Sequence, residues 1–278
     1  MKRNYCLVFV SLFALTGCAS KISVADAKTR ASEIRQHEIA DDEVKEIKIT
    51  SASTMTLKAK TSFLTLDMTA TSDALYEVSA EKNFIHSRTK SEGAMYGSSA
   101  GEYETWFYVK DNVFYNVSRQ VKGETETAEY TKVEGNDAAV AAFSNSLKEM
   151  VSEIKSGMAY ASKDSLDIVD ALSENGEAEM ELYEGVKAKG TLTPYSSGEG
   201  SLIIKGSLSL DKFAGIEGKA KSSVLLSWDK NLINEATIKF DWSGKKDDET
   251  GSISILNSQK VAGKAKVSYP DLSKYTAK

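Results

Sequence analysis

Thr105–Ser118 reads TWFYVKDNVFYNVS. Two runs of aromatic and β-branched residues flank Asp111-Asn112, and a short polar pair between such runs marks a hairpin turn. With the turn at that pair, Trp106 faces Val117 and Tyr108 faces Tyr115 on one side. Val109 faces Phe114 and Phe107 faces Asn116 on the other. Both faces are then partly apolar, which a sheet with one wet face does not require. Burial on both sides explains this, and so does a ligand or partner on the second side. A packed hairpin explains it too, because aromatic cross-strand pairs stabilise sheets unaided. Trp106, Tyr108 and Tyr115 therefore stand as candidate ligand-facing residues.

Upstream, from Glu46 to Tyr130, the apolar period is two: Ile47, Ile49, Met55 and Leu57, then Leu64, Leu66 and Met68. The intervening positions are mostly Ser, Thr and Lys, as in strands with one solvated face. Downstream, from Ala178 to Tyr269, the alternation is clearer still. Leu202, Ile204, Gly206, Leu208 and Leu210 share a face, as do Val224, Leu226 and Trp228, then Ala236, Ile238, Phe240 and Trp242. Ala265, Val267 and Tyr269 extend the pattern, and YPDLSKYTAK reads as a plain end. No helix separates these strands, so they pair antiparallel. Small residues at Ala188, Gly190, Gly206 and Ala236 read as room for a ligand.

Two stretches are helical. In Lys21–Ala40, Val24, Ala27, Ala31 and Ile34 fall on one stripe, with Ser23 as N-cap and Asp26 three residues on. From Asn136 to Leu172, Val140, Phe143, Leu147, Met150, Val151, Ile154 and Met158 make a broad stripe, with Gly157 as a point of bending and a shorter helix after it. Phe143, Leu147, Met150, Val151 and Ile154 are expected to face a wall of Leu202, Ile204, Leu226, Ile238 and Phe240, with Phe143 and Leu147 as further candidate ligand-facing residues.

The order is helix, strands, helices, strands, with no linker between strand blocks. The expected fold class is α+β: one large curved antiparallel sheet, an unclosed half-barrel, with an N-terminal helix and a mid-chain helical lid.

WFYVKDNVFYNV and SWDKNLINEATIKF (Ser227–Phe240) resemble hairpins of the LolA/LolB and LppX/LprG group of bacterial lipid-handling proteins. The element order is similar across most of residues 21–270. The resemblance implies an unclosed barrel with a helical lid, and a lipid or other hydrophobic ligand. It carries no diagnostic motif and assigns no single lipid-contacting residue.

The N-terminus carries a sharper signal. Lys2 and Arg3 precede an apolar run of 11 residues, Tyr5–Leu15. About 20 apolar residues are needed to cross a bilayer, so the run reads as an export signal. Leu15-Thr16-Gly17-Cys18 resembles the lipobox of bacterial lipoproteins. The resemblance implies recognition through Leu15, Thr16 and Gly17, cleavage before Cys18, a diacylglycerol on the Cys18 sulfur and a further acyl group such as palmitate on the new amine. Residues 1–17 are then the signal peptide, 18–22 a short tether and 23–278 a single domain. The expected location is extracytoplasmic, on the periplasmic or cell-surface face, with the bacterial cell membrane as partner through acylated Cys18. The only other cysteine, Cys6, leaves with the signal.

The net charge of −5 becomes −7 once Lys2 and Arg3 are removed. No basic face gathers for nucleic acid. Catalytic motifs are matched only in part. Gly97-Ser98-Ser99-Ala100-Gly101 has the G-x-S-x-G spacing, but both histidines, His37 and His86, precede it, whereas the nucleophile elbow needs one after it. Ser87-Arg88-Thr89-Lys90 matches S-x-x-K in what reads as a polar loop without companion motifs. His37 with Asp41, and Lys245–Glu249, read as solvated segments rather than metal sites. No catalytic residue, metal or cofactor is expected, and the sequence names no protein partner. An amphiphile carrier, an interaction or structural lipoprotein with a packed core, and, last, an enzyme remain as readings.

Overall fold

The computed structural model describes residues 19–36, 45–93, 100–134, 137–183, 186–210, 219–229, 232–246 and 249–278. Cys18 and its lipobox, His37, Asp41, Gly97–Ser99 and the Asp247-Asp248 turn lie outside them. Strand β1 (Ser20–Lys21) leads into helix α1 (Val24–Gln36). Six strands follow: β2 (Glu46–Lys60), β3 (Thr65–Ser79), β4 (Phe84–Glu92), β5 (Gly101–Lys110), β6 (Val113–Lys122) and β7 (Thr125–Val133). Helices α2 (Asp137–Asp164) and α3 (Asp167–Asp170) come next. Six more strands then run as β8 (Glu177–Tyr183), β9 (Val186–Ser196), β10 (Ser201–Leu210), β11 (Lys219–Asp229), β12 (Leu232–Lys246) and β13 (Glu249–Val261). A 3₁₀ turn (Leu272–Lys274) and β14 (Thr276–Ala277) end the chain.

All fourteen strands among the described residues form one sheet. Its path is β1-β9-β10-β11-β12-β13-β2-β3-β4-β5-β6-β7-β14, with β8 also on β9. Two antiparallel meanders are thus joined where β13 meets β2, from Thr250↔Lys60 to Val261↔Ile49. The sheet is unclosed, and α2 and α3 occupy the sequence between the strands β7 and β8 that would have to pair to close it. Asp111 and Asn112 sit at φ +51° and +58°, the conformation a two-residue hairpin demands. The pairing of Trp106 with Val117 and of Tyr108 with Tyr115 is as the sequence predicts.

One face of the sheet, here the inner face, carries the helices. Ser23 caps α1, its Oγ accepting the Asp26 N–H at 3.0 Å. Ala27, Ala31 and Ile34 of α1, with Leu166, Val169 and Leu172, are buried against Leu192, Leu202, Ile204, Leu226 and Trp228. Arg35 ties α1 to α3 through Asp167 (3.0 Å) and Asp170 (2.7 Å). Of the wall expected opposite α2, Leu202, Ile204 and Leu226 are taken by α1 and α3 instead, while α2 does reach β12, the strand of Ile238 and Phe240. Phe143, Leu147, Met150, Val151 and Ile154 of α2 pack on the first meander, against Ile47, Val78 and Ile85, with Ile49, Tyr76, Phe107 and Val261 around them. Helix α2 runs unbroken through Gly157 and ends at Asp164. Ser87–Lys90 lies within β4, not in a loop.

The tail departs furthest from the sequence reading. Residues 265–269 are not a sheet strand. At Gly263, φ +96° turns the chain off the end of β13. The tail then crosses the outer face from β2 to β7, where Thr276 pairs with Glu129 and Ala277 with Tyr130. Val267, Leu272 and Tyr275 pack on buried Phe84, Trp106, Tyr108 and Val117. This strap is why the Trp106 hairpin is apolar on both faces: helix α2 covers one side and the C-terminus the other.

Candidate functional site

The inner face changes character along its strands. Beneath α2 the rows Ile47–Val78–Ile85 and Val261–Ile49–Tyr76 are apolar and packed. Leu147 is only 1% exposed. Asn112 Nδ2 donates to Asp137 Oδ1 at 2.7 Å and fixes the start of α2 on the β5–β6 turn. Tyr76 Oη lies 3.0 Å from Met150 Sδ, and the Phe114 and Phe143 rings are 4.7 Å apart. Burial pushes the Tyr76 phenol up from its ordinary value.

Next comes a polar belt. Gln259 and Ser51 share one row, and Asn257, Ser53 and Ser72 the next, with Ser53 Oγ donating to Asn257 Oδ1 at 2.7 Å. Beyond the belt the face turns apolar again. Phe240, Ile255, Met55 and Ala70 form one row; Trp242, Ile253, Leu57 and Met68 form the next. In these rows Ala70 and Trp242 are buried and Phe240 and Ile253 pack against the α1–α3 core, while Met68, at 36%, is exposed; Ile238, in the belt row, is 44% exposed. A hollow of about 750 Å³ opens at this end between the tips of the β2–β3 and β12–β13 hairpins, lined in part by Leu66, Ala59, Lys60 and Lys245. The arrangement along the strands is apolar tract, then hydroxyl and amide belt.

Of the five candidate ligand-facing residues, Phe143 and Leu147 lie on this face, in the packed zone beneath α2. Trp106, Tyr108 and Tyr115 lie on the opposite face, under the strap. Tyr108 stacks on Tyr115 (4.8 Å) and meets Tyr269 (4.8 Å), and Tyr275 stands edge-on to Trp106 (6.2 Å). Burial first, then Tyr115, Tyr269 and Tyr275, push the Tyr108 phenol up to about 12. The structure thus separates the five into two groups that do not share a site.

Sequence reading missed a buried charge chain on that outer face. His86 Nδ1 lies 3.0 Å from Glu77 Oε2 and its Nε2 lies 2.9 Å from Glu104 Oε1. The ring stacks on Trp106 at 5.0 Å. Arg119 binds Glu102 and Glu126 and approaches Glu104. Glu77 Oε1 accepts the Lys266 N–H at 3.1 Å and an ion pair from Lys48 at 3.3 Å, so one carboxylate fastens the strap. The signal was the alternation itself, since the short β3–β4 turn sets Glu77 opposite His86. Both imidazole nitrogens are spent on carboxylates, and neither is left to activate a nucleophile. Among the described residues no group of His, Cys, Asp and Glu is placed to hold a metal ion.

Burial pushes the Glu77 carboxyl up, but His86, the Lys266 amide and Lys48 together hold it below the usual carboxylate range. A depressed native pKa stabilises above the unfolded value, about 4.3 for Glu, and that stability is lost as pH falls through the native value. Glu77→Gln is expected to cost about 3–5 kcal/mol, the usual consequence of removing one partner from a buried ion pair. It should also flatten the acid limb of the stability–pH profile, read by near-ultraviolet circular dichroism. An unchanged acid limb would refute the fastening role.

No protein-family model matches the chain, and no curated protein sequence matches it. Among solved structures, the crystal structure of the ywiB protein from Bacillus subtilis is similar at 9% identity, covering 78% of this chain and 94% of that chain, with a TM-score of 0.16.

Proposed function

We propose that the chain is a lipid-anchored extracytoplasmic protein that holds a lipid or other amphiphile on the inner face of its sheet. The observation that supports this is the sequence of rows along β12, β13, β2 and β3: a partly buried apolar tract that opens at Met68, then a belt of Ser, Asn and Gln. A tail laid on Phe240, Ile255, Met55 and Leu57 removes apolar area from water at roughly 25 cal/mol per Å², while the belt satisfies a polar head group. Helix α2 serves as the lid, packed over one end. The lipobox resemblance supports the anchor, through Cys18.

One experiment tests both parts. Mass spectrometry of the natively purified chain and its organic extract is expected to show an acylated N-terminal cysteine and a co-purifying amphiphile. Cys18→Ala should abolish the acylation alone. Leu57→Glu with Met68→Glu should abolish the amphiphile alone, because a carboxylate in the tract costs several kcal/mol unless paired. A chain that carries nothing, or carries as much with both glutamates, would refute the carrier. The dense packing of Leu147 against Ile47, Val78 and Ile85 favours the second reading, an interaction lipoprotein with a filled core, and that outcome would establish it.

A further inference from the structure

The described hairpin tips are polar or glycine-bearing with one exception. The β3–β4 tip is Ala80-Glu81-Lys82-Asn83, with one small apolar residue beside three polar ones, the β5–β6 tip Asp111-Asn112, the β6–β7 tip Gly123-Glu124 and the β9–β10 tip Ser197–Gly200. The β2–β3 tip instead presents Phe63, 87% exposed, and Leu64, 55% exposed, side by side. A tip that faces only water gains nothing from that pair.

The tip is also rigid. Thr61 Oγ1 accepts the Leu64 N–H at 3.0 Å and the Phe63 N–H at 3.4 Å, and the Thr61 N–H donates to the Leu64 carbonyl at 2.8 Å. Ordering is therefore largely complete before any partner arrives, which lowers the cost of inserting the two side chains. Lys58 and Lys60 stand exposed on the stem behind the tip and Lys245 across from it, with Lys58 paired to Asp67 at 2.9 Å. Long lysine stems of this kind follow an apolar tip toward a membrane and leave their ammonium groups among the head groups.

We propose that Phe63 and Leu64 insert into a phospholipid bilayer, as a second membrane contact besides Cys18. The inference rests on the lipid anchor proposed above, because an acylated Cys18, two residues before Ser20 in β1, keeps a bilayer continuously within reach. It does not need the inner face to hold a ligand. The register sets the geometry. The row through Lys21 and Tyr195 passes Ile203, Ser227, Glu235 and Lys260 and crosses β2 at Thr50. From Thr50 to Lys60 is about 33 Å along the strand. Two contacts that far apart on one plane lay the strands along the bilayer rather than upright on it.

The test is tryptophan fluorescence of the full chain bound to phosphatidylethanolamine–phosphatidylglycerol vesicles, with and without bromines on the acyl chains. The native tryptophans, Trp106, Trp228 and Trp242, are each less than a tenth exposed and give a constant background. Phe63→Trp is expected to add emission that shifts to the blue on vesicle binding and is lost in bromolipid. Lys122→Trp, at the polar β6–β7 tip, should show neither change. Co-sedimentation reports the anchor separately. Co-sedimentation without quenching at position 63 overturns the tip contact and leaves the anchor standing. Equal quenching at both tips overturns it as well, and failure to co-sediment refutes anchor and tip together.

Discussion

Removal of residues 265–278 is expected to leave a chain that does not hold its native fold at 37 °C. The strap is the cover of an aromatic surface, and the loss falls on both sides of the contact. Val267, Leu272 and Tyr275 leave with the tail, and Tyr269 with them. Phe84, Trp106, Tyr108 and Val117, each under a tenth exposed in the intact chain, then face water. The four strap side chains are only partly buried, Tyr269 being 39% exposed, so they account for less than the about 6–12 kcal/mol of four fully buried ones, and the uncovering of Phe84, Trp106, Tyr108 and Val117 adds to the loss. Natural domains have about 5–15 kcal/mol in total. The Glu77 carboxylate meanwhile loses the Lys266 amide and keeps only Lys48 and His86. Thermal unfolding monitored through Trp106 is the direct measurement. Tyr275→Ala, which removes only the edge-on ring contact, should retain the fold and lower its midpoint. A truncated chain with the wild-type midpoint would show the strap to be ornamental.

Gly206→Ala is the second large effect. Gly190 and Gly206 lie on neighbouring strands, paired with Leu208 and Leu192. A Cβ on Gly206 would fall 2.1 Å from the Thr191 carbonyl oxygen and 2.8 Å from the Leu192 Cα. A Cβ on Gly190 would fall 2.0 Å from the Ser207 oxygen. These neighbours are backbone, so no rotamer change relieves the clash. Ordinary overpacking costs about 1–3 kcal/mol where side chains yield; here β9 and β10 must separate, and the expected loss is larger. Chemical denaturation of Gly206→Ala against Gly123→Ala is the comparison, since a Cβ on Gly123 meets nothing within 4 Å and only its φ of +60° is strained. A Gly206→Ala cost below that of Gly123→Ala would contradict the close approach.

These two effects mark where the sequence was legible and where it was not. Local pairing was readable. The Asp111-Asn112 turn set the register of β5 on β6, and the Ser23 cap with the Ala27–Ala31–Ile34 stripe marked α1. Partners distant in sequence were not. Which wall α2 covers depends on β13 docking on β2, a pairing that no local pattern encodes, so the expected wall of Leu202 and Ile204 missed Ile47 and Val78. Gly190 and Gly206 read as empty space because periodicity shows a missing side chain but not the carbonyl that fills its place. Ala265, Val267 and Tyr269 kept a strand's alternation while lying across strands. An extended segment packed on a sheet buries every second residue whether or not it is hydrogen-bonded into it. Of the inner-face site, the apolar positions were visible singly, and their assembly into rows above a Ser/Asn/Gln belt needed the register.

The β13–β2 junction also dictates an order of events. Strand β2 is made early, and its partner on that side, β13, begins about 190 residues later. At a synthesis rate of about 5–20 residues per second, β2 waits on the order of 10–40 s with its edge unsatisfied. Through that interval the first meander can pair internally but presents β2 as an open template, with Met55 and Leu57 beside it. The Ser- and Thr-rich run Ile49–Thr56, flanked by Lys48 and Lys58, suits this wait, because it gives a stray strand few apolar contacts to hold. The last long strand to emerge is thus the one that unites the two halves, and the strap, following it directly, is drawn over the outer face only after that union.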